Sequence, residues 1–435
     1  MTTRLLAALL LLASALLAWL AITFAPVARA LQAVIAVSIL YVAYLALRGY
    51  RAMRDTRPVT GGEGSVLPWV TLLVAARNEA PVIAATVAAL ASQDYGGAEP
   101  RFDVLVVDDG STDGTGDLAR SAAATRGRVQ VLRRDADGTP RTKGAALVFA
   151  HAEVRGEVIG VVDADARVAD DFVTRVMAAW RADPGAVAIQ AQRRSHNIAH
   201  GWLAAAQDEE GLMDMASQCG RHATDGTAEL RGNGMFVRRA ALDAVGGWNP
   251  GALTEDLELS TRLVAAGERI ALAPQAEVWE EAVITLGALW RQRLRWAEGS
   301  LRRLLELGPG LLGAAALPLA RKLDFLAFTT EFLIPPLFVT TILASLLTIP
   351  LPRPADWTVP VSLFIGYGLG SFLLALAGLA GLGERGAALV GRATRGALFL
   401  SHWLVIVPAA LLRIAFGKPA TGFVQTPRIG HLSNR

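Results

Sequence analysis

Val158-Ile159-Gly160-Val161-Val162-Asp163-Ala164-Asp165 decides the fold. Its first five residues carry no polar side chain, and its end sets two carboxylates at i and i+2. A run so short and so apolar fits a strand buried on both faces, as in parallel sheets covered by helices. Val104-Leu105-Val106-Val107 upstream has the same form and ends in Asp108-Asp109-Gly110-Ser111, and residues 70–75 run into Ala76-Arg77-Asn78-Glu79. Residues 129–132 and 186–190 read as further strands, and residues 80–91 as a helix between the first two. Together they predict an α/β domain with a mostly parallel, Rossmann-like sheet over residues 68–308. Ligands of such sheets bind at the carboxyl ends of the strands, where these acidic pairs lie.

Outward from that domain the composition changes. The chain has 435 residues, 53% of them hydrophobic, and a mean hydropathy of +0.38, too apolar for an ordinary soluble protein. Residues 5–25 and 31–47 are apolar runs long enough to cross the hydrocarbon or nearly so, and residues 1–47 read as a transmembrane hairpin. The alternative is a signal peptide cleaved after Ala28-Arg29-Ala30. Under either reading Arg48, Arg51, Arg54 and Arg57 follow the second run, and the positive-inside rule puts them and the domain behind them in the cytoplasm. Residues 48–67 form a basic, Gly-rich linker ending in Thr60-Gly61-Gly62-Glu63-Gly64-Ser65. Apolar runs return at 323–349, 359–382 and 397–416 within a membrane region 309–416, before a basic tail 417–435. A multi-pass protein of the cell membrane is expected. Three full spans would leave Lys418, Arg428 and Arg435 outside, whereas a break at Glu331 or Pro335-Pro336 would return the tail to the cytoplasm.

The charge excludes some functions and leaves oligomeric state open. With 42 basic against 39 acidic residues the net charge is only +3, which is no nucleic-acid footprint. Cys219 is the single cysteine, so neither an intramolecular disulfide nor a thiolate metal cluster can form, and it reads as a buried packing residue. No Gly-x-Gly-x-x-Gly follows the first strand and no P-loop occurs, which removes the main support for a dinucleotide or P-loop site.

Several residue types fit chemistry. Asp163 and Asp165 suit a hard ion, Mg²⁺ or Mn²⁺, that takes few protein carboxylates and completes its shell with water and phosphate. Asp108, Asp109 and Glu79 mark a polar rim, although Asp109 or Ser111 could instead cap the helix after Asp113. Lys143 opens a helix, either meeting a phosphate there or standing in solvent. In Leu253-Thr254-Glu255-Asp256-Leu257-Glu258-Leu259, Asp256 is placed to serve as a general base, or else to charge a helix start behind Thr254. Gln292, Arg295, Trp296 and Gly299 share one helical face. Leu289, Trp290, Leu294, Leu301, Leu304 and Leu305 beside Arg291, Arg293, Arg302 and Arg303 make that helix fit a membrane interface. His402, inside an apolar run, reads as a helix-packing residue.

In this order Asp108-Asp109-Gly110-Ser111, Asp163-Ala164-Asp165, Thr254-Glu255-Asp256 and Gln292-Arg293-Leu294-Arg295-Trp296 resemble the signature of membrane family-2 glycosyltransferases of the GT-A fold. Glu229-Leu230-Arg231-Gly232-Asn233-Gly234, Phe236-Val237-Arg238-Arg239, Gly246-Gly247-Trp248-Asn249 and Arg295-Trp296-Ala297-Glu298-Gly299 are most similar to the bacterial beta-monoglucosyldiacylglycerol synthases. The similarity extends through Lys322-Leu323-Asp324 and His402-Trp403-Leu404 to Thr426-Pro427-Arg428. The resemblance implies an inverting transfer of a hexose, glucose first, from a UDP-sugar to a diacylglycerol-like lipid in the bilayer. Asp109, with Glu79 and the Ala75 backbone, would hold the uridine, and Asp163 and Asp165 the metal. Asp256 would be the base, Gln292, Arg295 and Trp296 would frame acceptor and leaving group, and Asp108, Lys143 and Asn233 complete the substrate-binding set. Thr-Glu-Asp here departs from the Thr-Asp-Asp of many lipid-glucosylating relatives. A processive polysaccharide synthase shares these motifs, and a non-catalytic scaffold is the reading of another class.

Overall fold

The computed structural model describes residues 3–55, 67–135, 141–351 and 357–418. The Thr60–Ser65 linker, Arg57, and the tail with Arg428 and Arg435 lie outside the described residues. Two helices come first, α1 (Thr3–Thr23) and α2 (Ala25–Asp55). Then follow β1 (Val70–Ala76), α3 (Ile83–Ala91), β2 (Phe102–Asp108), α4 (Thr115–Ala123), β3 (Val129–Arg133), α5 (Lys143–His151), β4 (Val158–Asp163), β5 (Arg167–Val168), α6 (Phe172–Ala182) and β6 (Ala186–Ser195). The domain continues with α7 (Trp202–His222), β7 (Met235–Arg238), α8 (Arg239–Ala244), α9 (Glu255–Ala265), β8 (Arg269–Glu280) and α10 (Leu286–Gly313). Last come α11 (Leu319–Thr348), α12 (Thr358–Gly381), α13 (Gly386–Leu400) and α14 (Trp403–Phe416).

The strands form one sheet in the order β3-β2-β1-β4-β7-β6-β8-β5. From β3 to β4 every pairing is parallel, as is β6 with β8; β7 runs antiparallel to both its neighbours, and β5 to β8. All five expected strands are present, and three others extend the sheet beyond the reading. The cause of the apolar runs is visible in the core, because alternate residues of one strand enter opposite layers. Leu72, Val74, Val104 and Val106 pack with Ile83, Val87 and Leu90 of α3 and with Phe172 and Val176 of α6. Leu73, Leu105, Val107, Ile159 and Val161 pack with Leu147 and Ala150 of α5 and with Leu259 and Leu263 of α9.

Among the described residues, five stretches are long and apolar enough to cross a membrane: α1, α2, α11, α12, and the stretch Gly386–Phe416. The break expected at Pro335-Pro336 is not there, since α11 runs through both prolines. It falls instead at Ser401-His402, which divides the last stretch into α13 and α14 of 15 and 14 residues. At 1.5 Å per residue each is about 22 Å long, short of the roughly 30 Å hydrocarbon core. Both are tied to the domain: Arg392 pairs with Glu209 of α7 at 3.0 Å, and Arg413 with Glu298 of α10 at 3.3 Å.

The same elements anchor the N-terminal hairpin at both ends. Thr3 Oγ1 donates to Glu306 Oε1 of α10 at 2.8 Å, and Arg48 donates to the Ala223 carbonyl at 2.6 Å. Where α2 crosses α7 the backbones touch: a Cβ on Gly49 would stand 2.0 Å from the Ala216 carbonyl oxygen, and one on Gly220 2.2 Å from that of Leu45. Cys219 is buried at this crossing, as expected.

Candidate active site

Parallel register brings the strand ends to one rim. Ala75 of β1 lies opposite Val107 of β2 and Asp163 of β4, and Ala76 lies opposite Asp108. The two loops leaving β1 and β2 are stitched together: Ser111 Oγ accepts from the Asn78 N–H at 3.0 Å, and Thr115 Oγ1 from the Glu79 N–H at 2.8 Å. Asp113, rather than Asp109 or Ser111, serves the start of α4, accepting from the Thr115 N–H at 3.0 Å.

That leaves the Asp108-Asp109 pair for other work. Asp108 is fully buried and uses both oxygens within the protein, on the Ser111 N–H at 3.0 Å and on Arg133 at 2.9 Å, so it shapes the turn. Asp109 is also buried and paired with Arg134 at 2.7 Å, beside buried Glu79.

Lys143 is not solvated. Thr142 caps α5 by accepting from the Ala145 N–H, and Lys143 Nζ reaches Asp163 at 2.6 Å and Glu255 at 3.3 Å. Burial works against its charge, but Asp163 and Glu255 outweigh it and raise the ammonium above its ordinary range. The Asp163 side chain keeps 37% of its surface exposed and so stays open to a ligand. Asp165 is buried and accepts from the Glu281 N–H at 3.1 Å. Asn233 sits behind the rim, its Oδ1 accepting from the Asp163 N–H at 3.1 Å and its Nδ2 donating to Glu280 at 3.0 Å. Its contacts orient Asp163.

Asp256 stands across Lys143 from Asp163. Its Oδ1 accepts from the Leu257 N–H at 2.8 Å, and Thr254 makes no side-chain cap. Burial and then the neighbouring Glu255 charge push the Asp256 carboxyl up to about 6, against the lowering effect of Leu257 N–H, Lys143 and Arg231. A carboxyl of that pKa is matched to proton abstraction near neutrality. Its Oδ2 abuts Gly232, whose φ of +78° and 3.1 Å clearance for an added Cβ leave little room for a side chain.

Helix α10 closes the site. A Cβ on Gly299 would lie 2.5 Å from Thr254 Cγ2, so the glycine lets α10 press against the start of α9. Arg295 then faces Glu255, Asp163 and Asp256, with no hydrogen bond or ion pair among the described residues. Trp296 carries the Arg293 guanidinium 4.1 Å from its ring centroid and that of Arg193 at 5.9 Å. Gln292 Oε1 is buried with no partner among the described residues. The interfacial reading of α10 needs one correction. Arg291 is exposed, but Arg293 and Arg303 are buried inside the protein, paired with Glu210 and Glu229.

Sequence reasoning missed Glu280 and Arg193, which come from β8 and β6. Glu280 lies in the field of Asp163 and Asp165, and Arg193 stands 3.8 Å from it. Only the fold brings them to the rim. No group of three or more His, Cys, Asp or Glu among the described residues could hold a metal unaided. The half-open Asp163 with Asp165 fits a hard ion whose remaining ligands come from a diphosphate and water.

With this geometry in place, known proteins supply the frame. A family model described as glycosyltransferase like family 2 matches residues 68–299. A beta-monoglucosyldiacylglycerol synthase of Synechocystis sp. is 36% identical over 396 residues, covering 88% of this chain and 81% of that protein. The Nostoc sp. protein of the same name is 33% identical over 84% of this chain and 77% of its own length. A poly-beta-1,6-N-acetyl-D-glucosamine synthase of Staphylococcus aureus is 28% identical over 55% of this chain and 56% of that protein. Among solved structures, a mannosyltransferase from Pyrobaculum calidifontis in complex with GDP-Man and Mn²⁺ superposes with a TM-score of 0.60 at 20% identity, covering 90% of this chain and 99% of its own.

Proposed function

We propose, from the premise that the chain belongs to glycosyltransferase family 2 and is a glycosyltransferase, that it moves a hexose, glucose first, from a UDP-sugar to a membrane diacylglycerol with inversion to the β-glycoside. One observation carries the reading: Asp163, Lys143 and Asp256 meet in one charge cluster with Arg295, unpaired among the described residues, which comes from the helix α10 that also packs against α1 and α14.

Asp109, Glu79 and the Ala75 backbone hold the uridine, with Arg134 fixing Asp109 beforehand. Asp163 and Asp165 hold Mg²⁺ or Mn²⁺, which when bound supplies positive charge to the diphosphate. Arg295, with no carboxylate of its own, faces the negative charge that develops on the departing UDP. Lys143 holds the Asp163 side chain in place. Asp256 takes the proton from the acceptor hydroxyl, whose oxygen forms the new bond to the anomeric carbon as the bond to UDP breaks on the other side. Gln292 and Trp296 border the acceptor.

Residues 68–308 form the catalytic unit and face the cytoplasm, in keeping with Arg48, Arg51 and Arg54 at the domain end of α2. The short helices α13 and α14, tied to α7 and α10, bring the chain at Phe416 back to that side. The test is direct. Purified protein in nanodiscs, given UDP-glucose and 1,2-diacylglycerol, is expected to form one glycolipid, with the β configuration set by the anomeric proton coupling. A polymer from UDP-N-acetylglucosamine, with no glycolipid, would replace this reading by the processive one.

A further inference from the structure

Glu331 lies outside everything assigned so far. It is in the apolar helix α11, seven residues and so about 10 Å beyond Asp324, which closes a buried pair with Arg221 at 3.0 Å. Among the described residues Glu331 has neither hydrogen bond nor ion pair. Its electrostatic neighbours are Arg221, Arg231, Asp214 and Glu229, all on the domain, so it faces inward; yet its surface is exposed. It is thus an exposed carboxyl on the side of α11 that feels the charges of the domain. A carboxylate within a spanning helix is costly and is retained where it meets a polar group.

The backbone adds a second, independent feature at the same place. Pro335 and Pro336 have no N–H, so the carbonyls of Glu331 and Phe332 lose their donors at i+4 while the helix continues. Glu331 thus offers a carboxylate and a main-chain carbonyl, both acceptors. Tyr367 of α12, whose hydroxyl donates to the Leu400 carbonyl at 3.1 Å, lies in its field. The nearby cations are already matched: Arg231 to Asp214 at 2.9 Å and Glu229 at 2.8 Å, Arg303 to Glu229 at 2.5 Å, and Arg293 to Glu210. Among the described residues each of these cations has its carboxylate, which leaves Glu331's own acceptors unmet; such a group suits a hydrogen-bond donor and repels a phosphate. Arg231 connects it to the site, being an electrostatic neighbour of both Glu331 and Asp256 and next in sequence to Gly232.

We infer that Glu331 is the station at which the free hydroxyl of a neutral lipid alcohol docks on leaving the bilayer, before it passes Arg231 to reach Asp256, and that it selects such lipids against lipid phosphates. This rests on the functional reading above and deepens it. In nanodiscs of graded diacylglycerol content, Glu331→Leu is expected to raise the acceptor KM by about tenfold, the worth of a charged hydrogen bond, with kcat and the UDP-glucose KM within about twofold. Glu331→Gln, which keeps an acceptor oxygen, is expected to restore most of the acceptor KM. UDP binding by calorimetry reports that each variant is folded. Phosphatidate of matched chains, at equal mole fraction, is expected not to compete with diacylglycerol in the wild type. An unchanged acceptor KM in Glu331→Leu, or competition by phosphatidate, overturns this inference alone. A wild type that makes no glycolipid overturns the functional reading, and this one with it.

Discussion

Two carboxylates that share Arg231 as an electrostatic neighbour, the buried Glu229 and the half-buried Asp256, end at opposite extremes. Burial pushes both up. At Glu229 the guanidiniums of Arg303 and Arg231 outweigh it and hold the carboxyl down to about 2; at Asp256 the Glu255 charge adds to it and the group rises to about 6. Glu229, and Asp208, Glu209 and Glu210 on α7, are each matched to an arginine in fixed geometry. At the strand rim, Asp256 and Arg295 have no such partner among the described residues. Matched charges fix structure, and unmatched ones remain available to a substrate whose own charge changes during reaction.

The largest break of this comparison is expected at the rim. Asp163→Ala or Asp165→Ala should bring sugar transfer below detection while the protein stays inserted and monodisperse, and EDTA should do the same to the wild type. Full turnover in chelator would remove the metal from the site. Next, Asp256→Asn should lower kcat by a factor of about 10² to 10⁴, the usual loss of a general base, with UDP binding by calorimetry nearly unchanged. Near wild-type turnover would move the base to Glu255.

The matched region should answer in stability instead. Glu229→Gln leaves Arg303 and Arg231 facing an uncharged group and should cost about 3–5 kcal/mol, seen as a lower thermal midpoint in detergent, with turnover per folded molecule largely kept. Because the Glu229 carboxyl is depressed, its stabilisation is present above about pH 4.5 and lost as pH falls toward 2. The smallest effect sharpens the contrast near neutrality. Asp256 must be ionised to act, so kcat should be level above about pH 7 and fall about tenfold per unit below about 6. A profile flat to pH 5 would mean that Asp256 does not carry the proton.

How far the sequence could be read follows the same physics. Strands buried on both faces announce themselves as apolar runs, so β1, β2, β4 and β6 were legible, as was the more exposed edge strand β3 by its valines and leucine, and with them the rim of Asp109, Asp163 and Asp165. In β8, Pro274 and Gln275 interrupt the pattern; the strand survives because its pairing with β6 skips from Ala273 to Glu277, a bulge that takes up the proline. Glu280 was hidden with it. The prolines of α11 suggested a break in the wrong place, since a helix packed on both sides can hold two prolines, whereas the real break at Ser401-His402 carries neither glycine nor proline. Lys143 stayed ambiguous because both its partners, Asp163 and Glu255, are distant in the chain.

The backbone contact of α2 with α7 at Gly49 and Gly220 has a mechanical meaning. Where the two main chains touch, no side chain lies between α2 and α7 to give way, so the domain has no hinge at those points on which to tilt. On the function proposed above, the height of the rim over the bilayer is then a fixed length, and such an enzyme does not reach down for its acceptor; the lipid rises to it, and how far a headgroup can climb out of its leaflet becomes part of what the enzyme recognises.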